Sequence, residues 1–237
     1  GELRIIKDAS EIAATEKAVE VAESAMKATI KRIRVGMTER ELAAELEHQM
    51  LRRGASGPSF PTIVAEGPQS ALPHAKPGER RIRIGSAVLI DWGATVSHYR
   101  SDLTRVVFVR RIPPRFRRMY EAVLSAQREA IKAIAPGVPC RDVDSIARKR
   151  LAEFGMEKEF RHGLGHGLGL DIHEEPRLSK KAPGSEKPLR PGMLVTVERV
   201  VYFAGIGGVR IEDDVLVTEN GHGVLSSLPT ELDAWII

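Results

Sequence analysis

Residues recur along this chain at a fixed distance, and that repetition constrains the fold more than any other feature. At an offset of 101 positions, Glu20, Ser24, Ala25, Ile30, Lys31, Ile33, Gly36 and Gly54 meet identical residues at Glu121, Ser125, Ala126, Ile131, Lys132, Ile134, Gly137 and Gly155. The glycines punctuate helical patterns. Asp8 with Glu11 reads as a capping box, and Ile12, Val19, Ala22, Met26, Ile30 and Ile33 follow at helical spacing to about Arg34. Thr38 with Glu41 starts a second stripe, Leu42, Leu46 and Met50, which Gly54 ends. Later, Pro113-Pro114 opens a helix from about Arg115 to Ala135, and another runs from about Arg141 to Phe154, closed by Gly155. Such self-similarity predicts two similar halves, roughly residues 10–110 and 113–219, in a single domain spanning 1–237.

Each helix pair gives way to β-like sequence: AVLIDW (87–92) and RVVFV (105–109), then MLVTVERVVYF (193–203) and VRIEDDVLV (209–217). The class is therefore α+β. Matching Gly85 to Gly192 sets Asp91 opposite Glu198, each ending an apolar strand, while Asp102 and Glu212 fall on the strands that follow. His74 and His173 each lie between a helix pair and an acidic strand. The stretch RHGLGHGLGLDIHE (161–174) alternates glycine with His162, His166 and other residues. Each glycine costs roughly 1 kcal/mol in a helix interior, so this stretch is expected to be extended and closely packed.

If the halves pack about an approximate two-fold axis, Asp91, Asp102, Glu198 and Glu212 converge on one cavity with His166. At about 4 Å and an effective dielectric near 20, each close carboxylate pair costs roughly 4 kcal/mol, so the cluster must protonate or collect cations. Two divalent ions match four negative charges. A set of carboxylates with one imidazole suits Mn, Co, Fe or Zn. On the strand from Val209, Arg210 shares a face with Glu212 and Asp214 and is placed to orient a ligand.

Composition excludes several classes. The chain is 42% hydrophobic and 29% charged, as ordinary globular proteins are, and its net charge of +4 does not imply nucleic acid. One cysteine, Cys140, rules out an intrachain disulfide and fits a reducing, cytoplasmic setting. Neither a signal peptide nor a membrane span is legible. HEEPR lacks the second histidine of HExxH, and no GxSxG elbow, P-loop or GxGxxG occurs.

The motifs LIDWGA, SDLTR, RHGLGHGLGLDIHE, VTVE and GGVRIEDDVLVTENG, spread from about Leu3 to Gly221, together resemble the pita-bread metallopeptidases: methionine aminopeptidase, aminopeptidase P, prolidase and creatinase. The resemblance implies a pita-bread fold, with two pseudo-two-fold halves and a curved antiparallel sheet covered by helix pairs. It implies that Asp91 binds one metal ion, that His166 and Glu198 bind the other, and that Asp102 and Glu212 bridge both. His74 and His173 are implied to contact substrate, with a short peptide as the partner. FPTIVAEGPQSALPHAKP (60–77) and HEEPRLS (173–179) are closer to the proline-directed members. By similarity to prolidase, Arg177 pairs with a dipeptide's terminal carboxylate and Tyr202 lines a proline pocket. His162 and Arg210 resemble a supporting pair of aminopeptidase P. The implied mechanism has Glu198 moving a proton to the leaving nitrogen, assisted by His162, and His173 donating to the oxyanion.

Two departures stand out. The family usually has Glu-Pro-Gly where this chain has Glu198-Arg199-Val200, which puts the turn after the ligand in question, and His98 replaces a common glycine, adding bulk expected near the site. The start, LRIIKDASEI without an initial Met, resembles the point where the catalytic domain of longer relatives begins, so their N-terminal domain is expected to be absent here. The leading expectation is a dinuclear peptidase cleaving Xaa-Pro bonds. Alternatives are methionine removal, creatinase-like C–N cleavage, or a peptide-binding or chaperone module that has lost catalysis. A homodimer would be ordinary for such a protein, though no stretch demonstrates one.

Overall fold

Both capping boxes read from the sequence form. In the computed structural model, which describes residues 2–160 and 162–237, Asp8 accepts from the N–H groups of Ser10 and Glu11 while Glu11 accepts from the N–H of Asp8, opening α1 (Ala9–Ile30). Gly1 and Arg161, the first residue of the extended stretch, lie outside the described residues. Thr38 and Glu41 exchange the same two bonds at the start of α2 (Glu39–Leu51). α1 ends at Ile30, short of Arg34, because the chain turns there: Gly36 adopts φ +94° and its N–H bonds the carbonyl of Ile82 at 2.8 Å. α3 (Pro114–Lys132) starts at the proline pair, and Gly137 beyond it has φ +87° and bonds Leu189 O at 2.9 Å. α4 (Cys140–Glu153) follows.

The strands are β1 (Gly57–Pro58), β2 (Ile63–Glu66), β3 (Ala87–Trp92), β4 (Ala94–Val96), β5 (Tyr99–Arg100), β6 (Leu103–Phe108), β7 (Gly165–Gly167), β8 (Glu174–Leu178), β9 (Leu194–Phe203), β10 (Gly207–Thr218) and β11 (Gly221–Val224). The main sheet is antiparallel throughout, ordered β2-β3-β6-β10-β9-β7-β8, with β11 on β10, and β1-β4-β5 form a small sheet of their own. The sheet curls in the pita-bread manner, as expected. Side-chain alternation then divides labour. On β3, Val88, Ile90 and Trp92 enter the core beneath α1 and α2, leaving Asp91 on the other face. On β9 and β10, Val195, Val197, Val215 and Val217 join Ala130, Val143 and Ala147 of α3 and α4, so Glu198 and Glu212 face away from the helices. The C-terminal LDAWII docks on the body: Trp235 is buried, and Ile236 bridges Phe108.

β7 shows why the histidine stretch is rich in glycine. A Cβ at Gly165 would stand 1.9 Å from the carbonyl oxygen of Thr196, which belongs to the neighbouring β9 backbone and cannot move aside. Gly165→Ala is expected to lower stability by about 3 kcal/mol in urea unfolding, the upper end of overpacking costs. An unchanged midpoint would show that β7 is free to shift.

Candidate metal centre

The register of four strands builds the site. Asp91 on β3 lies opposite Thr104 on β6, Thr104 opposite Glu212 on β10, and Glu212 opposite Glu198 on β9, giving one row across the sheet. Strands are spaced about 4.8 Å apart, and like charges placed directly opposite repel. Asp102 stands two residues before Thr104 on the same face. From the far side β7 brings His166, whose Nε2 is 3.7 Å from Asp102 Oδ2. Among the described residues, Asp102, His166 and Glu212 bring ligand atoms within 4.8 Å of one another. Asp91 and Glu198 fall outside that group of three but line the same cavity, of about 1240 Å³. Also on its wall are His74, His162, His173, Arg177, Tyr202 and Arg210.

The electrostatics are those of an anionic cluster short of positive charge. Burial drives the carboxyls of Asp102 and Glu212 well above the usual range, and neighbouring acids push further: Glu212 on Asp102, and Glu198 and Asp91 on Glu212. Burial also raises Glu198 to about 7, against the pull of Arg210. Asp91 is raised by burial less completely, because Arg210 Nη1 pairs with its Oδ2. That pair balances one acid, and Asp91 Oδ1 is buried without any hydrogen-bond partner. His166 is held neutral, its pKa lowered to about 3 by burial. Its Nδ1 lies 3.0 Å from Gly167 O and must donate there, leaving Nε2 with a free lone pair toward Asp102. Buried carboxylates, an orphaned carboxylate oxygen and a neutral imidazole with an open lone pair make a donor set that fits divalent cations.

Three supporting side chains escaped the sequence reading as such. Thr104 Oγ1 donates to Glu212 Oε2 at 2.7 Å, Asp214 Oδ2 accepts from the Asp102 N–H at 2.9 Å, and Thr196 Oγ1 accepts from the His166 N–H at 3.2 Å. Each lies two positions from an acid of the cluster on its own strand or the residue leading into it, so period-2 alternation was the available signal. Arg210 does more than orient one ligand. Its Nη2 also donates to Tyr202 Oη at 2.9 Å and Pro73 O at 3.2 Å, tying Asp91 to the segment that carries His74.

Both departures resolve geometrically. β9 runs unbroken through Arg199 and Val200, which pair with Ile211 and Arg210, so there is no turn after Glu198. Arg199 faces the helices, its guanidinium 4.0 Å from the centre of the Phe160 ring, where burial lowers its pKa to about 9. The expectation that His98 adds bulk to the site is corrected: it is exposed in the β4–β5 turn at φ +70° and does not line the cavity. The segment 180–192 contributes Ala182 and Pro183 to the cavity rim. Among the described residues, no helix is long and apolar enough to cross a membrane.

The chain is 45% identical over 231 residues to the Xaa-Pro dipeptidase of Pyrococcus horikoshii, covering 98% of this chain and 65% of that relative's length. It thus spans somewhat less than two thirds of the relative. Among solved structures, prolidase from Pyrococcus furiosus superposes with a TM-score of 0.92 at 46% identity, over 96% of this chain and 67% of that one. The X-Pro aminopeptidase from Thermotoga maritima gives a TM-score of 0.95 at 39% identity, over 100% of this chain and 66% of that one. Residues 13–219, which hold the whole acidic row and His166, match metallopeptidase family M24, and the chain belongs to that family.

Proposed function

We propose that this chain is the catalytic domain of a dinuclear metal-dependent exopeptidase that hydrolyses short peptides at an Xaa-Pro bond, in the manner of a prolidase or aminopeptidase P. The observation that carries the reading is the registered row of Asp91, Thr104, Glu212 and Glu198, whose carboxylates a single arginine does not balance. Asp91, Asp102, His166, Glu198 and Glu212 hold the two ions. Mn and Co suit this donor set best, and Zn and Fe are compatible with it. In the same reading, residues 1–237 act as one unit whose halves, 10–110 and 113–219, each supply part of the ligand set. Relatives named Xaa-Pro dipeptidase and X-Pro aminopeptidase support proline-directed cleavage over methionine removal. A creatinase-like reaction does not require the carboxylate row, and a peptide-binding module need not retain it. A reducing cytoplasmic compartment suits a chain whose one cysteine, Cys140, is buried and free.

Bound divalent cations act as Lewis acids that polarise a carbonyl and lower the pKa of water from about 15.7 to about 7. The chain's own groups do the rest. Burial lowers the pKa of His173, so its imidazole is neutral and donates one N–H to the developing oxyanion. His74, which lines the same cavity, orients the substrate. Glu198 takes the nucleophile's proton and passes it to the leaving nitrogen with help from His162. Burial keeps His162 neutral, its pKa lowered to about 4. A proline nitrogen is secondary and leaves poorly unless protonated. Tyr202 lines the proline pocket, and Arg177 receives the terminal carboxylate.

Protein reconstituted with Mn or Co should release free amino acids from Gly-Pro or Xaa-Pro-Yaa peptides. Cleavage of Met-led peptides alone would redirect the reading to methionine removal, and fewer than one tightly bound ion per chain without cleavage would favour the binding module. Arg177→Met should raise KM for Gly-Pro about tenfold while leaving its C-terminal amide unaffected, since only a free carboxylate has a charge to lose. Equal effects on both substrates would remove Arg177 from carboxylate recognition.

A further inference from the structure

His173 sits on the segment between β7 and β8, and its ring meets the His166 ring edge-on with centroids 4.4 Å apart. The segment is tied on one side to β5, where the N–H and Nε of Arg100 donate to Gly169 O and Leu170 O, each at 3.0 Å. A second set of bonds comes from residues ahead of α1. Lys7 follows Ile6, which bridges Met193, and the Lys7 N–H bonds Gly192 O at 2.8 Å. From that anchor its ammonium runs inward, with the side chain 1% exposed, and donates to Glu174 Oε2 at 3.1 Å and to Arg4 O at 2.7 Å. Arg4 Nη2 pairs with Glu174 Oε1 as well, and the Asp171 N–H donates to that same oxygen at 3.0 Å. Glu174 is the residue next to His173, so fixing both its oxygens restrains the backbone that carries the imidazole. Although burial disfavours the charged form, these donors hold the Glu174 carboxyl below its usual range.

The packing is close at the centre of this clasp. A Cβ on Gly169 would stand 3.0 Å from Lys7 Cε and 3.1 and 3.2 Å from the two Glu174 oxygens. A lysine this deeply buried is rare unless paired, and removing one partner leaves an uncompensated charge. Both cationic residues precede residue 13, where the match to the peptidase family begins. A purely architectural role would also be met by an apolar residue at position 7, whereas here the ammonium ends on the neighbour of a proposed oxyanion donor.

We infer that Lys7 and Glu174 are positioning residues for His173, so that the segment ahead of α1 acts on the reaction through the loop it clasps. The inference rests on the proposed role of His173, and its test separates the two. In metal-free protein labelled at the histidine ring carbons, the His173 signal is identified by its loss in His173→Ala. Lys7→Met and Glu174→Gln should each displace or broaden that signal. The His222 signal should stay in place, because its ring is bonded to Ile134 O on a different part of the fold. In Mn-loaded protein the same variants should lower kcat about tenfold or more with little change in KM, as misplacement of a catalytic group does. Placed on His173→Ala, Lys7→Met should cost less than about twofold further, because residues acting through one another are not additive.

An unmoved His173 signal, an unchanged kcat, or an equal loss on the His173→Ala background would overturn the inference. Should Lys7→Met fail to fold, Glu174→Gln reads the same clasp, since glutamine still accepts from the Asp171 N–H. If wild-type protein cleaves no Xaa-Pro peptide, the functional reading falls, and the ring signal alone decides the positioning.

Discussion

Glu198→Gln leaves the fold intact and lowers turnover about a hundredfold or more, a loss of roughly 2.7 kcal/mol of transition-state stabilisation. The fold survives for a specific reason. Glu198 is held in a setting that already favours its neutral form, its pKa raised to about 7 by burial, so an isosteric neutral amide places no new demand on the scaffold. Activity falls because glutamine can neither take the nucleophile's proton nor return it to the proline nitrogen, and because the row loses one of its charges. Circular dichroism and thermal melting check the first half of the statement, and kcat on Gly-Pro checks the second. Near-normal turnover would take Glu198 out of the chemistry and leave it as packing.

Neutralising the centre of the row has the opposite signature: activity disappears and the metal-free protein becomes more stable. Asp102 and Glu212 carry folded-state pKa values well above those of the unfolded chain, with burial the first cause in each. A carboxyl raised in this way holds a proton that the unfolded chain releases, so it destabilises the fold above the unfolded value of about 4 and ceases to do so as pH falls toward it. The buried imidazoles of His162 and His166, with pKa values lowered by burial, work against this trend. The informative quantity is therefore the difference between wild type and Asp102→Asn/Glu212→Gln, in which those histidines cancel. Without metal, the double variant should melt higher than wild type at about pH 7.5, and the gap should narrow by about 4 °C or more by about pH 5.5. With Mn present the ranking inverts. A free ion concentration a hundred times Kd adds about 2.7 kcal/mol to wild type and less to a variant that has lost two of the five proposed ligands. A gap that does not change with pH would mean that the two carboxyls are not strained by their neighbours.

The parts of this molecule legible in its sequence are those set by local rules. Asp8 with Glu11 and Thr38 with Glu41 announce their helices because a capping box is complete within four residues. Asp91 and Glu198 stand out because an acid on an otherwise apolar strand is costly without a partner. Register is different. That Asp91, Thr104, Glu212 and Glu198 fall in one line depends on how β3, β6, β10 and β9 slide against one another, which no short stretch encodes. Thr104, Thr196 and Asp214 were hidden for a related reason: their side chains are ordinary until the partner strand arrives. Nearness along the chain misled in one case, where His98 lies close to Asp102 in sequence but its positive-φ turn leaves it exposed and off the cavity wall. Arg199 misled in another, since strand alternation sends it to the helix side and lets β9 continue straight past Glu198.

The meeting of β6 with β10 at Thr104 and Glu212 has a consequence for how the protein is made. A nascent chain that has emerged only as far as β6 carries Asp91 and Asp102 but not His166, Glu198 or Glu212, which come later in the sequence. On the proposed ligand set, metal capture waits for translation of Glu212 and closure of that one seam. A ribosome-stalled fragment ending before β10 should be unable to retain manganese at any concentration that loads the finished chain.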